Sequence, residues 1–187
     1  MPPKAKFTRQ NVIDKAFEIV REEGLETLTA RNLGARLGSS ARPIFTVFQS
    51  MDEVAQGVIS AAKALYTQYI DRGLASEPAF KGVGTQYILF AINEPELFRL
   101  LFMNENADAD IGDVLPLIDE NYEKIRASVR AYGIGDEAAE KLYRHLWVYT
   151  HGIATLCATH TCAFSAEQIS EMESEVFLAL LKKFKEN

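Results

Sequence analysis

The stretch Leu28-Thr29-Ala30-Arg31-Asn32-Leu33-Gly34-Ala35-Arg36-Leu37-Gly38-Ser39-Ser40-Ala41-Arg42-Pro43-Ile44-Phe45 decides how the chain is read. Thr29 can cap a short helix over residues 30–37, and Gly38 supplies the sharp turn that ends it. Ser39 or Ser40 is then predicted to cap a third helix running to Phe48, with Pro43 in the first turn, where its missing N–H is not needed. Leu33, Leu37, Ile44 and Phe48 would form a small core between these helices, and Gly34 would let them cross closely. Two short helices about a tight turn are the pattern of a helix-turn-helix. An ordinary helical hairpin shares that pattern, so the flanking sequence has to separate the two.

Upstream, residues 9–23 place Val12, Ile13, Ala16, Phe17 and Val20 on one helical face, with Thr8 as cap and Gly24 as stop. Downstream, Ser50-Met51-Asp52-Glu53 is a capping-box signature that opens a long fourth helix toward Ile70. Residues 1–50 hold eight Lys/Arg against five Asp/Glu, a net +3, whereas residues 51–187 hold twelve against twenty-one, a net −9. Screening beyond roughly 10 Å lets the local field decide phosphate binding. A cationic head therefore stays compatible with nucleic acid despite an overall charge of −6 and a pI near 5.2. The start of the third helix, with its free N–H groups and positive dipole end, would face phosphate and enter a major groove first.

Apolar residues recur at helical spacing through the rest of the chain, and no convincing alternating strand is present. Further helices are predicted over residues 79–93, 95–103, 114–132, 136–160 and 166–185. The expected fold is all-α with about nine helices, divided into residues 1–50 and 51–187, the fourth helix serving as a continuous strut. At 187 residues, 48% hydrophobic and 25% charged, the chain has ordinary globular composition and is long enough for a core. Two cysteines, Cys157 and Cys162, exclude a disulfide scaffold and point to a reducing cytoplasm. The N-terminal residues are basic without an apolar run, so no signal peptide is read.

From His145 to Ala166 there is no charged residue for twenty-two positions. That length would cross a bilayer core of about 30 Å. Three His, four Thr, a Gly and a Ser lower its hydropathy, so an interior or interface helix is expected and no membrane span. Cys157, His160 and Cys162, with His151 earlier, offer soft ligands, but their spacing matches no standard zinc pattern. Neither metal nor cofactor is expected. With no glycine-rich phosphate loop, zinc helix or nucleophile elbow, an enzyme is not expected either.

Residues 8–58 resemble the DNA-binding domain of the TetR/AcrR family of bacterial transcription regulators. The likeness rests on Thr8, Ile13, Ala16, Gly24, Leu28-Thr29-x-Arg31-x-Leu33, Leu37-Gly38-x-Ser40, Ile44-Phe45-x-x-Phe48-x-Ser50 and Asp52-Glu53-Val54. It implies a cytoplasmic, homodimeric repressor that holds operator DNA and is released by a small-molecule inducer. The DNA contacts it implies are Lys4, Lys6, Arg9, Thr29, Arg31, Ser39, Ser40, Ala41, Arg42, Pro43, Phe45 and Thr46, with Arg42 foremost. Arg36 reads instead as a solvated helix face. The family usually carries Tyr at Phe45, His or Tyr at Val47 and Lys at Met51, all backbone contacts in relatives. Their absence implies weaker or more arm-dependent binding. The alternative is a helical interaction protein that kept the fold and lost strong operator binding.

In the second half, Tyr87 to Phe102 and Trp147-Val148-Tyr149-Thr150-His151-Gly152 resemble the Trp–His–Gly class of TetR C-terminal domains. That class implies a ligand-binding body whose last two helices pair in a homodimeric four-helix bundle. Phe90, Phe98, Phe102, Met103, Tyr122, Trp147 and His151 are the candidate ligand contacts, and each reads equally as core. Leu142, Leu146, Tyr149, Ile153 and Leu156 form a stripe beside a small-residue ridge of Gly152, Thr155 and Thr159. The last helix adds Ile169, Met172, Val176, Phe177, Leu180, Leu181 and Phe184. This is more apolar face than one monomer needs, and a twofold pairing would suit half-sites about 34–36 Å apart.

Overall fold

The computed structural model describes residues 6–103 and 121–186. Lys4 and the first part of the helix expected over 114–132 lie outside them. The described residues form eight α-helices and no strand: α1 (Arg9–Glu23), α2 (Ala30–Arg36), α3 (Met51–Leu74), α4 (Ala79–Asn93), α5 (Pro95–Phe102), α6 (Tyr122–Arg130), α7 (Asp136–Ala158) and α8 (Ala166–Lys185). The all-α expectation holds. Most helix ends fall within two residues of their expected positions, α3 running on past Ile70 to Leu74.

Local chemistry accounts for several boundaries. Thr8 accepts from Asn11 N–H while Asn11 reaches back to Thr8 N–H, a reciprocal cap for α1, and Ser165 and Gln168 do the same for α8. Ser50 Oγ accepts from Glu53 N–H at 3.2 Å and starts α3. The helix expected to reach His160 ends as α7 at Ala158. There His160 turns left-handed (φ 55°), and the N–H groups of Thr161 and Cys162 both donate to Leu156 O.

The third helix is where the structure departs from expectation. Residues 39–48 form no α-helix; the chain makes turns around a single 3-10 turn, Ile44–Thr46. Pro43 has no N–H to give, and it disfavours helical geometry at Arg42. Thr46 N–H and Thr46 Oγ1 both donate to Pro43 O, the carbonyl an α-helix would reserve for Val47 N–H, and Val47 N–H donates to Ile44 O instead. Three β-branched residues, Ile44, Thr46 and Val47, weaken the α alternative further. Ser39 and Ser40 consequently cap no helix, and the expectation of a dipole end aimed at phosphate is withdrawn.

The chain divides into two compact units, and α3 runs from one into the other. The first, here the head, comprises residues 6–65 and 96–103 of the described chain. Its core is Val12, Ala16, Ile19 and Val20 of α1, Leu33 of α2, Ile44 and Phe48 of the turn, Val54 and Val58 of α3, and Leu97 and Phe98 of α5. The second, the body, comprises residues 66–95 and 121–186. In it α4 packs along α7, with α6 and α8 flanking that pair. Phe90, Ile88, Ile125, Val129, Leu142 and Ile153 are buried there.

Candidate functional site

In the head, α2 and the turn after it are locked by a backbone approach. A Cβ on Gly34 would stand 2.9 Å from both Ala41 N and Ser40 C, so only glycine allows the turn to lie against α2. Ser39 N–H donates to Gly34 O at 2.9 Å, and Gly38 adopts φ 63°. Thr29 Oγ1 caps α2 by accepting from Asn32 N–H. Buried Ile44 and Phe48 anchor the turn from below. From Ser40 to Thr46 only Ile44 is buried, and Ser40, Arg42, Phe45 and Thr46 are exposed, Phe45 by 46%. Ala41 and Pro43 are half-buried.

The basic residues of the head sort into two groups. Arg9 forms an ion pair with Glu53 at 2.8 Å, donates to Val47 O at 2.7 Å and lies 4.1 Å over the Phe48 ring. It fastens α1 to the turn and to α3. The Gln49 backbone N–H, and then Arg9, hold the Glu53 carboxyl below its ordinary range. Arg36 pairs with Glu22 at 2.9 Å and with Glu23. Lys6 Nζ donates to Ser39 Oγ at 3.1 Å, bringing the basic arm to the turn. Arg31 and Arg42 are exposed and form no ion pair with a described residue.

The body contains a cavity of about 370 Å³, in the range of small-molecule sites. Its walls come from Tyr66 of α3, Phe80, Lys81, Val83, Gly84 and Tyr87 of α4, Ile125 of α6, Tyr143, Leu146, Trp147, Tyr149 and Thr150 of α7, and Glu173, Ser174, Phe177 and Leu178 of α8, with Pro78 and Tyr132 from the connections. Of the seven candidate ligand contacts, Trp147 lines it. His151 stands behind that wall. Its ring stacks on Trp147 at 4.8 Å, and its Nδ1 shares a 2.9 Å hydrogen bond with the hydroxyl of Tyr87. Burial pushes the His151 imidazole below its ordinary value. Tyr122 also acts from behind. Its hydroxyl donates to Glu140, which pairs with Arg126 Nε at 3.0 Å, and its ring packs edge-on against Tyr143.

The other four lie elsewhere. Phe90 is fully buried against Tyr66 and Tyr69, Phe98 and Phe102 pack against each other with tilted rings in the head, and Met103 is exposed.

The polar lining of the cavity centres on a residue that the sequence reading passed over. Glu173 is 7% exposed. Thr85 Oγ1 donates to its Oε2 at 2.9 Å, and a Cβ on Gly84 would stand 2.3 Å from its Oε1. The missing side chain at 84 is the space the carboxylate occupies. Burial raises the Glu173 carboxyl to about 7, against the opposing pull of Thr85 and Lys81. Lys81 Nζ donates to Ser170 Oγ at 2.8 Å and Ser174 Oγ at 3.0 Å. A signal was present in the sequence: Ile169, Glu173 and Phe177 fall four residues apart on one helix face, so the stripe carries a charge at its centre.

Among the described residues no group of three His, Cys, Asp or Glu side chains is arranged to hold a metal ion, and no helix is long and apolar enough to cross a membrane.

Solved structures share the fold. The chain is similar to the fatty acid degradation regulator FadR from Bacillus halodurans (TM-score 0.61, 12% identity, 92% of this chain and 94% of that one). It is likewise similar to the superantigen PfiT (0.59, 20%, 96% and 97%). A third likeness is to a TetR/AcrR-family transcriptional regulator from Thermobifida fusca (0.54, 14%, 94% and 97%). At these identities the likeness is one of fold. No curated protein matches at the level of sequence. Residues 80–179, more than half of the chain and the span that carries most of the cavity, match the model of the tetracyclin repressor-like C-terminal domain, and on that match the chain belongs to the TetR family of regulators.

Proposed function

We propose that this regulator is a ligand-released transcriptional repressor that grips operator DNA as a homodimer in the cytoplasm, with residues 1–50 reading DNA and residues 51–187 binding the ligand and pairing. The cavity within the family-matched body carries the proposal. Tyr66 of α3 forms part of its wall, and α3 also contributes to the head. A ligand that binds one placement of Tyr66 better than another therefore acts on the helix that continues into the DNA-reading unit, and its unequal affinity for the two states is what releases DNA. Arg42 and Arg31, which form no ion pair with a described residue, supply base or phosphate contacts, assisted by Lys6 and by the exposed hydroxyls of Ser40 and Thr46. Arg9 supports the turn from behind.

Self-association is supported by the outer face of α7. Val148 (52% exposed) and Leu156 (37%) flank Gly152, around which a Cβ would meet nothing within 4 Å, and Leu178 of α8 is 62% exposed. A contiguous apolar face with a small residue at its centre suits close pairing with its own copy.

A mobility-shift titration on DNA upstream of the chain's own gene tests the proposal. A retarded dimer complex that Arg42→Ala weakens about tenfold is expected. Undiminished binding by Arg42→Ala removes Arg42 from the reading role. A second reading, an interaction protein that kept the fold, draws on exposed Phe45 and on the absence of an α-helix over residues 39–48. Absent or salt-insensitive binding to any duplex would favour it.

A further inference from the structure

The cavity has eight aromatic residues among the eighteen that line it, and one buried carboxylate stands among them. We propose that it takes a small lipophilic cation, an aromatic or alkyl amine or quaternary ammonium, whose positive charge rests against Glu173 Oε1 while its apolar part lies among the rings of Phe80, Tyr87, Tyr143, Trp147 and Phe177. The inference rests on the cavity being the regulator's ligand site.

Three observations point the same way. Aromatic faces carry negative potential and attract cations, more strongly where water is excluded. The Glu173 carboxylate is buried, with Oε2 satisfied by Thr85 and Oε1 taking no hydrogen bond from a described residue. Gly84, having no side chain, lets Oε1 sit against α4 in the cavity wall. A buried carboxylate without a counter-charge is costly, and a ligand that brings the counter-charge recovers that cost on binding. Lys81 acts on Glu173 only through its charge and not as a direct partner. Its Nζ is held by Ser170 and Ser174, and it forms no ion pair with Glu173. An anion would meet the carboxylate and the negative ring faces, with the lining cation, Lys81, already engaged by Ser170 and Ser174. A neutral ligand would gain no charge attraction from Glu173.

The chain has one tryptophan, and it lines the cavity, so its fluorescence reports occupancy directly. Three probes of similar size separate the ligand classes: phenyltrimethylammonium, its neutral isostere tert-butylbenzene, and the anion 4-phenylbutyrate. In the full chain we expect phenyltrimethylammonium to bind at least about tenfold more tightly than tert-butylbenzene. Glu173→Gln should shrink that preference severalfold while retaining tert-butylbenzene. Should the variant fold poorly by circular dichroism, the ratio in the unaltered protein decides alone. Equal affinity for the cation and its isostere, or tighter binding of 4-phenylbutyrate, overturns the cation assignment and leaves the cavity a ligand site. No response to any probe, confirmed by calorimetry, overturns both this inference and the ligand-responsive part of the proposed function.

Discussion

The head and the body both pair charges at the surface, but among the described residues only the body sets a charged group into a cavity. In the head, Arg9, Arg36 and Lys15 pair with Glu53, Glu22, Glu23 and Glu18 near the surface, and Arg31 and Arg42 are exposed. None of this asks much of folding, because exposed pairs contribute little and solvated cations cost little. The body instead buries Glu173 inside an apolar cavity. A surface that meets a polyanion can wait in water until the partner arrives. A pocket that selects a small molecule has to be desolvated in advance, and the protein gives up stability to keep it so.

Four substitutions sharpen or break that contrast. The largest effect is expected at Phe90→Ala, since Phe90 is fully buried in the body. Truncation should cost about 3–5 kcal/mol by denaturant unfolding. A small loss would mean that Phe90 borders open space after all.

Glu173→Gln should follow next, with a pH signature. The folded-state value of about 7 lies above the ordinary 4.5, so the folded protein holds this proton more tightly than the unfolded chain. The contribution is fully favourable below about pH 4.5, declines as pH rises toward 7 and stays lost above it. Thr85 and Lys81 of α4 oppose the rise that burial causes, and burial, then the charges of Glu175 and Glu173, raise the Tyr149 hydroxyl of α7. Relative to the wild type, the variant should gain up to about 3 kcal/mol between pH 4.5 and 8, read as a difference of unfolding curves. A pH-independent difference would show that Glu173 is not held as described.

Gly34→Val comes third. Its side chain would strike the backbone of Ser40 and Ala41, so a loss of about 1–3 kcal/mol and weakened DNA binding are expected together. DNA binding that survives the substitution would detach the turn from the reading role. The smallest effect on stability is expected at Arg42→Ala, whose melting temperature should match the wild type while its DNA affinity falls. A destabilised Arg42→Ala would expose a structural role that no ion pair accounts for.

Much of the fold was legible because capping and periodicity are local. Thr8, Thr29 and Ser50 each hold the bond that the sequence suggests. The third helix was misread because Pro43 and Thr46 together redirect one carbonyl, a competition that composition does not display. The cavity was legible only in part. Aromatic residues near the Trp147–His151 segment were singled out for their type, yet burial and lining depend on which helix each one faces. Phe90 and Phe98 turn into cores, while Tyr87 and Phe177 face the cavity. Glu173 was visible as a charge in an apolar stripe, but its meaning depended on α4 arriving beside it with Gly84.

The account stands most directly on a salt titration of DNA binding. A duplex selected from a random pool, labelled and followed by anisotropy from low to moderate salt, should prove palindromic. The logarithm of its affinity should fall linearly with the logarithm of salt, with a slope of about −4 or steeper, and less steeply for Arg42→Ala. An affinity that salt does not move, or a pool from which no duplex is enriched, would contradict it.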